Sequence, residues 1–395
     1  MDNRARSSRV VLRRASSLLL SALAMGLFGT GVEAAGAPAP KAAKAAEQKA
    51  PVAASTQPAG LQIAFPDPRL GVHGLAWFAE DAPVLRRLPA RLKETFRPPV
   101  WSLAQCPSGG RVRFRTDSLR IAVAARNPDT GTMHHMTTVG QSGLDLYVGA
   151  DFICSAWPDR TGKIARTWTA GSDKAMRDIT IYLPLYKPLS LESITLDAGA
   201  KVEPPRPYRV AKPIVYYGSS ITQGGCAANP GLSAQAILGR RLDADFVNLG
   251  FSGNGLGEPE LAKAICQIDA SCIVLDFWGN PNAALYRQRL PAFVDILRAK
   301  FPTLPILAVS PFYFPAEGVS PPMAAMMADK RAATRELVAA RRKAGDANIH
   351  FVDGLEMLNK DQACGLVDGI HPNSLGFFFN ANGLEPHLRK VLKLQ

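Results

Sequence analysis

Two segments far apart in the chain carry the residue types of a nucleophile and its base: Tyr217-Gly218-Ser219-Ser220-Ile221-Thr222-Gln223-Gly224 and Asp368-Gly369-Ile370-His371-Pro372. A serine hydroxyl is a poor nucleophile on its own. An imidazole must take its proton, and a carboxylate must fix the imidazole tautomer and stabilise the imidazolium. Ser220 stands where an apolar run, residues 213–217, gives way to a Gly-rich loop, the way a strand presents a hydroxyl at the rim of a sheet. His371 has Asp368 three residues before it. Taken singly, Gly-Ser-Ser is a common loop tripeptide and Asp-Gly a turn signal. The segments between them add weight. Asn248-Leu249-Gly250-Phe251-Ser252-Gly253-Asn254-Gly255 follows a short apolar run and offers the backbone N–H of Gly253, and Ile273-Val274-Leu275-Asp276-Phe277-Trp278-Gly279-Asn280 ends on the side-chain N–H of Asn280. Acyl transfer needs such donors where the oxyanion develops, each worth about 3 kcal/mol.

Serine, glycine, asparagine and Asp-x-x-His in this order, the first three each at the exit of a predicted strand, resemble the SGNH (GDSL-type) hydrolase family. The resemblance implies that Ser220 is the nucleophile, that the Ser220 N–H, Gly253 and Asn280 form the oxyanion hole, that His371 is the base and that Asp368 orients it. It calls for no metal and no organic cofactor. The chain departs from the pattern twice: the usual Gly-Asp-Ser is Gly218-Ser219-Ser220, and the usual Gly-x-Asn-Asp is Trp278-Gly279-Asn280-Pro281. Upstream, His134-His135-Met136-Thr137 and Gly143-Leu144-Asp145-Leu146-Tyr147 resemble the GxDLY N-terminal domain that accompanies one branch of SGNH esterases, which implies a β-sandwich there. As metal ligands His134 and His135 lack further His or Cys partners at useful spacing. They read as a polar loop tip, with His135 a candidate for the substrate rim. Trp278 is a second rim candidate, able with Phe251 to exclude water.

The elements that must position these residues follow from the pattern of runs and breaks. A chain of 395 residues with 47% apolar content is long for one core and sufficient for two. Residues 1–34, with Arg4, Arg6, Arg9, Arg13 and Arg14 ahead of a short apolar stretch and small residues, read as a secretory signal that is too short to span a bilayer. No later apolar run is long enough to be a transmembrane segment, so the protein is expected to be exported, to the periplasm or outside the cell. Residues 35–60, rich in Ala, Pro, Lys and Gln, read as a disordered tether. Within 61–207, short β-forming runs at 111–115, 119–125, 144–153, 178–183 and 191–196 predict an all-β sandwich domain. The Pro-rich stretch 202–213 reads as a connector. Within 208–395, strands at 214–217, 245–249, 272–277, 305–310 and 349–352 alternate with helices at 233–242, 259–268, 283–300, 323–343 and 374–392. That alternation predicts a flavodoxin-like α/β domain, a parallel sheet with helices on both faces. Ligands of such sheets bind at the carboxyl ends of the strands, where Ser220, Gly253 and Asn280 fall.

Six cysteines, Cys106, Cys154, Cys226, Cys266, Cys272 and Cys364, can oxidise in an exported chain. Cys266 and Cys272 are close in sequence, and loop placement suggests a Cys226–Cys364 bridge between the two reactive loops. The net charge of +13 favours acidic surroundings such as anionic envelope polymers. No basic run with interleaved aromatics points to nucleic acid. The reading is an exported serine esterase that removes small acyl groups, plausibly acetyl, from a carbohydrate or glycoconjugate. The alternatives are an acyltransferase using the same acyl-enzyme and a noncatalytic glycan-binding protein of the envelope. Oligomeric state is not legible in the sequence.

Overall fold

A computed structural model describes residues 60–395 of the chain, which belong to one compact unit. The expected signal and tether lie outside the described residues. The first half is a two-sheet antiparallel sandwich. One sheet orders the strands Leu61–Ala64, Ser190–Leu196, Arg120–Arg126 and Lys163–Thr169; the other orders Val202–Glu203, Arg111–Thr116, Arg177–Tyr182, Leu144–Val148 and Asp151–Ala156, with Gly71–His73 added beside Arg111–Thr116. Period-two alternation explains the packing: Ile121, Val123 and Ala125 of one sheet and Ile179, Ile181, Leu144 and Leu146 of the other turn inward into a shared core around Phe114 and Trp168. The run 144–153, expected as one strand, is two strands paired as a hairpin, because Gly149 takes φ +58° and turns the chain. The connector also differs: Val202–Glu203 is itself a strand, and the strand expected to start near 214 already begins at Val210.

The second half is a parallel sheet of five strands in the order Ala244–Gly250, Val210–Gly218, Cys272–Asp276, Ile306–Val309 and Ile349–Val352. The helices Ala234–Leu242, Pro259–Ile265, Ala283–Lys300, Pro321–Lys343 and Ser374–Val391 alternate with the strands. Side-chain oxygens start most of them: Ser233, Asn282, Ser320 and Asn373 each accept a backbone N–H of the first turn. From the Val210–Gly218 strand the chain crosses first to the Ala244–Gly250 edge and then back to the other side. The carboxyl ends of these strands therefore splay around a topological switch point, the crevice where such sheets bind ligands.

The two halves share packing rather than abutting. Trp77, Leu88, Phe96, Val100 and Ala104, upstream residues, belong to the core of the parallel-sheet half. The edge strand Ala244–Gly250 has no neighbouring strand on its outer side among the described residues, and alternate carbonyls there face outward. Two buried arginines fill that edge. Arg111 donates to the carbonyls of Gly109 and Phe246 at 2.7 and 3.1 Å, to the Tyr208 hydroxyl at 2.8 Å, and to the Asp245 carboxylate. Arg87 donates to the carbonyls of Cys106 and Leu103, each at 2.8 Å, to that of Asn248 at 3.3 Å and to that of Gly250. Arg87 has no carboxylate partner among the described residues, and burial pulls its guanidinium down to about 10; its charge is met by carbonyl dipoles and by the face of the Phe251 ring, 4.7 Å away. Arg87→Met leaves these buried acceptors without a donor and is expected to lower stability by about 3 kcal/mol. Arg87→Lys should recover little of it, because an ammonium cannot reproduce the fork. The midpoint of urea unfolding of the full chain measures both.

Candidate active site

The Val210–Gly218 strand ends on a sharp turn. Gly218 must be glycine, because a Cβ there would lie 1.9 Å from Thr222 Oγ1 and 2.5 Å from the Asp276 carbonyl. Ser219, which stands where the resembling family has aspartate, N-caps the short helix Ser220–Gln223 by accepting the Ile221 N–H at 3.2 Å. Ser220 is thereby fixed at the first helical position, 7% exposed.

Its Oγ lies 2.9 Å from Nε2 of His371, and His371 Nδ1 lies 2.7 Å from Asp368 Oδ2. The imidazole arrives on a small turn. Asp368 Oδ1 accepts the backbone N–H of Ile370 at 3.0 Å and of His371 at 2.8 Å; Gly369 takes φ +82°; and Val367 N–H closes onto the His371 carbonyl at 2.8 Å. Burial alone would raise the Asp368 carboxyl, but the His371 backbone N–H, its imidazole and the Ile370 N–H outweigh it and hold the group at about 2.

Gly253 and Asn280 stand on either side of Ser220, beyond the strands that flank Val210–Gly218. Gly253 has φ +67° with open space where a Cβ would point, so backbone conformation alone demands glycine. The Asn280 side chain is fixed by the Gly255 N–H, which donates to Oδ1 at 3.0 Å. This contact joins the two loops and leaves the Asn280 amide N–H₂ without a hydrogen bond among the described residues. Thr222 donates to the Asp276 carboxylate at 3.0 Å; burial pushes that carboxyl up to about 7, with the Thr222 hydroxyl pulling the other way.

His135, expected at the rim, is exposed on its loop, with its ring centroid 5.7 Å from that of His371. Trp278, the other rim candidate, is not at the surface. It is 1% exposed, packed against Phe312 and Phe314, and its carbonyl accepts the buried Lys330 ammonium at 2.9 Å. The aromatic run at the end of the Cys272–Asp276 strand turns inward and serves the core.

All six cysteines are free. Cys266 and Cys272 point to different environments, the former against the Ile296 carbonyl and the latter wholly buried in its strand, so they do not pair. The Cys226–Cys364 bridge is absent as well: Cys226 is buried and Cys364 exposed. Cys226 instead sits beside the imidazoles. The ligand atoms of His135, Cys226 and His371 lie within 4.8 Å of one another, a donor set for a soft divalent ion. Both His371 nitrogens are already engaged, so a metal there would take the imidazole from Ser220 rather than serve it. Burial, then Asp368, pushes the Cys226 thiol up to about 12, which rules it out as a thiolate nucleophile at neutral pH.

Sequence reasoning did not find the residues that brace the site from the sandwich side. The Tyr186 hydroxyl donates to the Ser220 carbonyl at 3.1 Å, and Gln223 bridges the Leu185 carbonyl to the Ser252 N–H. Asp145, the acid of the Gly143-Leu144-Asp145-Leu146-Tyr147 segment, reaches into the other half, where its carboxylate accepts Asn229 Nδ2 and the Gly231 N–H, each at 2.7 Å. Burial raises that carboxyl, against the pull of these donors and of the Ser155 hydroxyl. Asp145 thus anchors the loop that follows the nucleophile. Only the motif itself could have pointed to it; its partners lie in a loop with no comparable signature.

The family model described as GDSL-like Lipase/Acylhydrolase family matches residues 211–389, and the one described as the N-terminus of Esterase_SGNH_hydro-type matches residues 63–202. No curated protein sequence matches the chain. Among solved structures, a putative GDSL-like lipase from Bacteroides ovatus is 30% identical, with a TM-score of 0.77 over 85% of this chain and 99% of that one. A salicylyl-acyltransferase from a tetracycline biosynthetic pathway shares the fold at 23% identity and a TM-score of 0.70, over 85% and 99% of the two chains. A family two carbohydrate esterase from Cellvibrio japonicus shares it at 14% identity and a TM-score of 0.56, over 84% and 98%. With the β-sandwich in front and the parallel sheet behind, the chain belongs to the GDSL-like lipase/acylhydrolase family, as an SGNH-type serine hydrolase of ester bonds.

Proposed function

We propose that the chain is an exported esterase that removes short acyl groups, acetyl foremost, from a carbohydrate or glycoconjugate through an acyl-serine intermediate. The observation that carries the reading is the continuous relay from Ser220 Oγ through His371 to Asp368, with contacts of 2.9 and 2.7 Å. His371 Nε2 takes the hydroxyl proton as Ser220 attacks the ester carbonyl, and the same nitrogen returns it to the departing alkoxide. The developing oxyanion is met by the Ser220 N–H at the start of its helix, the Gly253 N–H and the Asn280 amide, whose orientation the Gly255 N–H fixes beforehand. Water, deprotonated by His371, then hydrolyses the acyl-enzyme. The sugar as carrier is supported by the fold shared with family two carbohydrate esterases from Clostridium thermocellum and Cellvibrio japonicus. Export is supported by the arginine-rich start and the short apolar stretch after it.

The test is release of p-nitrophenol from acetyl, butyryl and octanoyl esters, repeated with acetylated xylan. Acetyl esters should turn over fastest, and Ser220→Ala should lower kcat by at least about a thousandfold. Turnover that the variant retains would sink the mechanism, and acyl transfer to added alcohols exceeding hydrolysis would make the protein a transferase. Asn280→Ala is expected to reduce kcat about a hundredfold to a thousandfold with little change in KM, since its amide acts on the oxyanion rather than on the bound ester.

The pH profile follows from the relay. Because the folded-state value of Asp368 is depressed, its negative charge is lost only as pH falls through about 2. Asp368 therefore adds no step to the acid limb of activity above about pH 3. A log kcat/KM profile with an acid limb of slope one is expected; slope two above about pH 3 would show that the carboxylate titrates with the imidazole.

A further inference from the structure

Away from the reactive loops, at the amino end of the Ala244–Gly250 strand, a cavity of about 270 Å³ opens between the two sheets' halves and the segment that joins them. Three arginines, Arg113, Arg206 and Arg240, line it against two aspartates, Asp178 and Asp243. Both acids have partners other than Arg113 and Arg240. Asp178 stands between Arg115 at 3.5 Å and Arg206 at 3.4 Å, and Asp243 accepts the Arg209 backbone N–H at 3.2 Å. Arg115 also pairs with Glu203. Arg113 and Arg240 have neither an ion pair nor a hydrogen bond among the described residues, and Nη1 of each is closed off from solvent with no acceptor.

Arg113 is 8% exposed, and an unpaired charge in such a place is costly. Aromatic faces offset part of that cost. The Arg113 guanidinium lies 3.7 Å over the Tyr208 ring, and that of Arg240 lies 4.2 Å over Tyr147. Nη1 of each guanidinium is closed off, so the remaining N–H groups, which solvent reaches, are the ones that an oxyanion in the cavity would meet. Asp145 feels the field of Arg240 but commits its oxygens to Ser155, Asn229 and Gly231. No described side chain forms an ion pair with Arg113 or Arg240, which leaves the cavity open to an added counter-charge.

We propose that this cavity binds an oxyanion, a phosphate or a carboxylate borne by a sugar, held between Arg113 and Arg240 with Arg206 at the mouth. The volume is several times the ~30 Å³ share of one water, enough for the anionic group and part of its carrier. The site is separate from Ser220, which sits at the opposite, carboxyl end of the sheet.

The experiment is calorimetric titration of the full chain with inorganic phosphate and with methyl glucuronate, at an ionic strength fixed with sodium chloride. Saturable binding of either anion is expected, and whichever binds more tightly identifies the source of the charge. Arg240→Gln, a change at a half-buried position in the last turn of its helix, should weaken that binding about tenfold, the factor set by one charge-assisted contact of roughly 1.4 kcal/mol. Arg206→Gln, with an exposed side chain, gives a second variant with little risk to folding and should weaken binding less. Lys174→Gln removes an equal charge on an exposed loop and should leave it unchanged. Turnover of p-nitrophenyl acetate should survive all three substitutions. No saturable binding of either anion, or equal affinity in the native chain and in Arg240→Gln, would overturn the proposal.

Discussion

A parallel sheet that ends in an unpaired strand exposes a row of outward carbonyls, and the architecture of this protein turns on how that row is satisfied. Phe246, Asn248 and Gly250 present theirs at period two along the Ala244–Gly250 edge. No further strand takes them. Arg111 and Arg87, both wholly buried, reach across from the upstream half and donate to them. The edge is also the strand that leads into the Gly253 loop, so the contact that closes the sheet also settles where one wall of the reactive crevice stands.

The same division of labour recurs around the nucleophile. Parallel strands supply the directions in which Ser220, Gly253 and Asn280 leave the sheet, and the sandwich half supplies hydrogen bonds to the loops around them. Tyr186 holds the carbonyl of Ser220, Asp145 holds the turn at Asn229 and Gly231, and Gln223 links the end of the nucleophile helix to both Leu185 and Ser252. His371 is the exception. It is positioned by its own turn, through Asp368 and the Val367–His371 closure, and meets the sandwich half at His135.

What could be read from the sequence was what local patterns encode. The helix Ala283–Lys300 begins directly after the capping Asn282 and matches its expected span, because the cap and the apolar spacing agree. Ser220, Asp368 and His371 could be picked out because each sits in a short segment whose glycines and turn residues mark a strand exit or a tight turn; the structure brings the three within hydrogen-bonding distance. Contacts between remote segments left no such trace. Nothing in the run around Arg87 signals that it will meet Asn248 and Gly250, and nothing near Asn229 signals Asp145. Trp278 and the 144–153 run depart from expectation for a related reason: neither an aromatic at a strand exit nor an apolar stretch says which face will be covered, and the turn at Gly149 depends on one φ angle.

The pair of buried arginines also bears on modularity. A reader of the chain sees two domains in series, a sandwich and then a hydrolase, and would cut near the prolines between them. The carbonyl row along Ala244–Gly250 and the apolar patch that receives Trp77, Leu88 and Phe96 make the catalytic half an incomplete object on its own. Recombination between relatives would have to exchange both halves together, or preserve the arginines and their acceptors as a matched set.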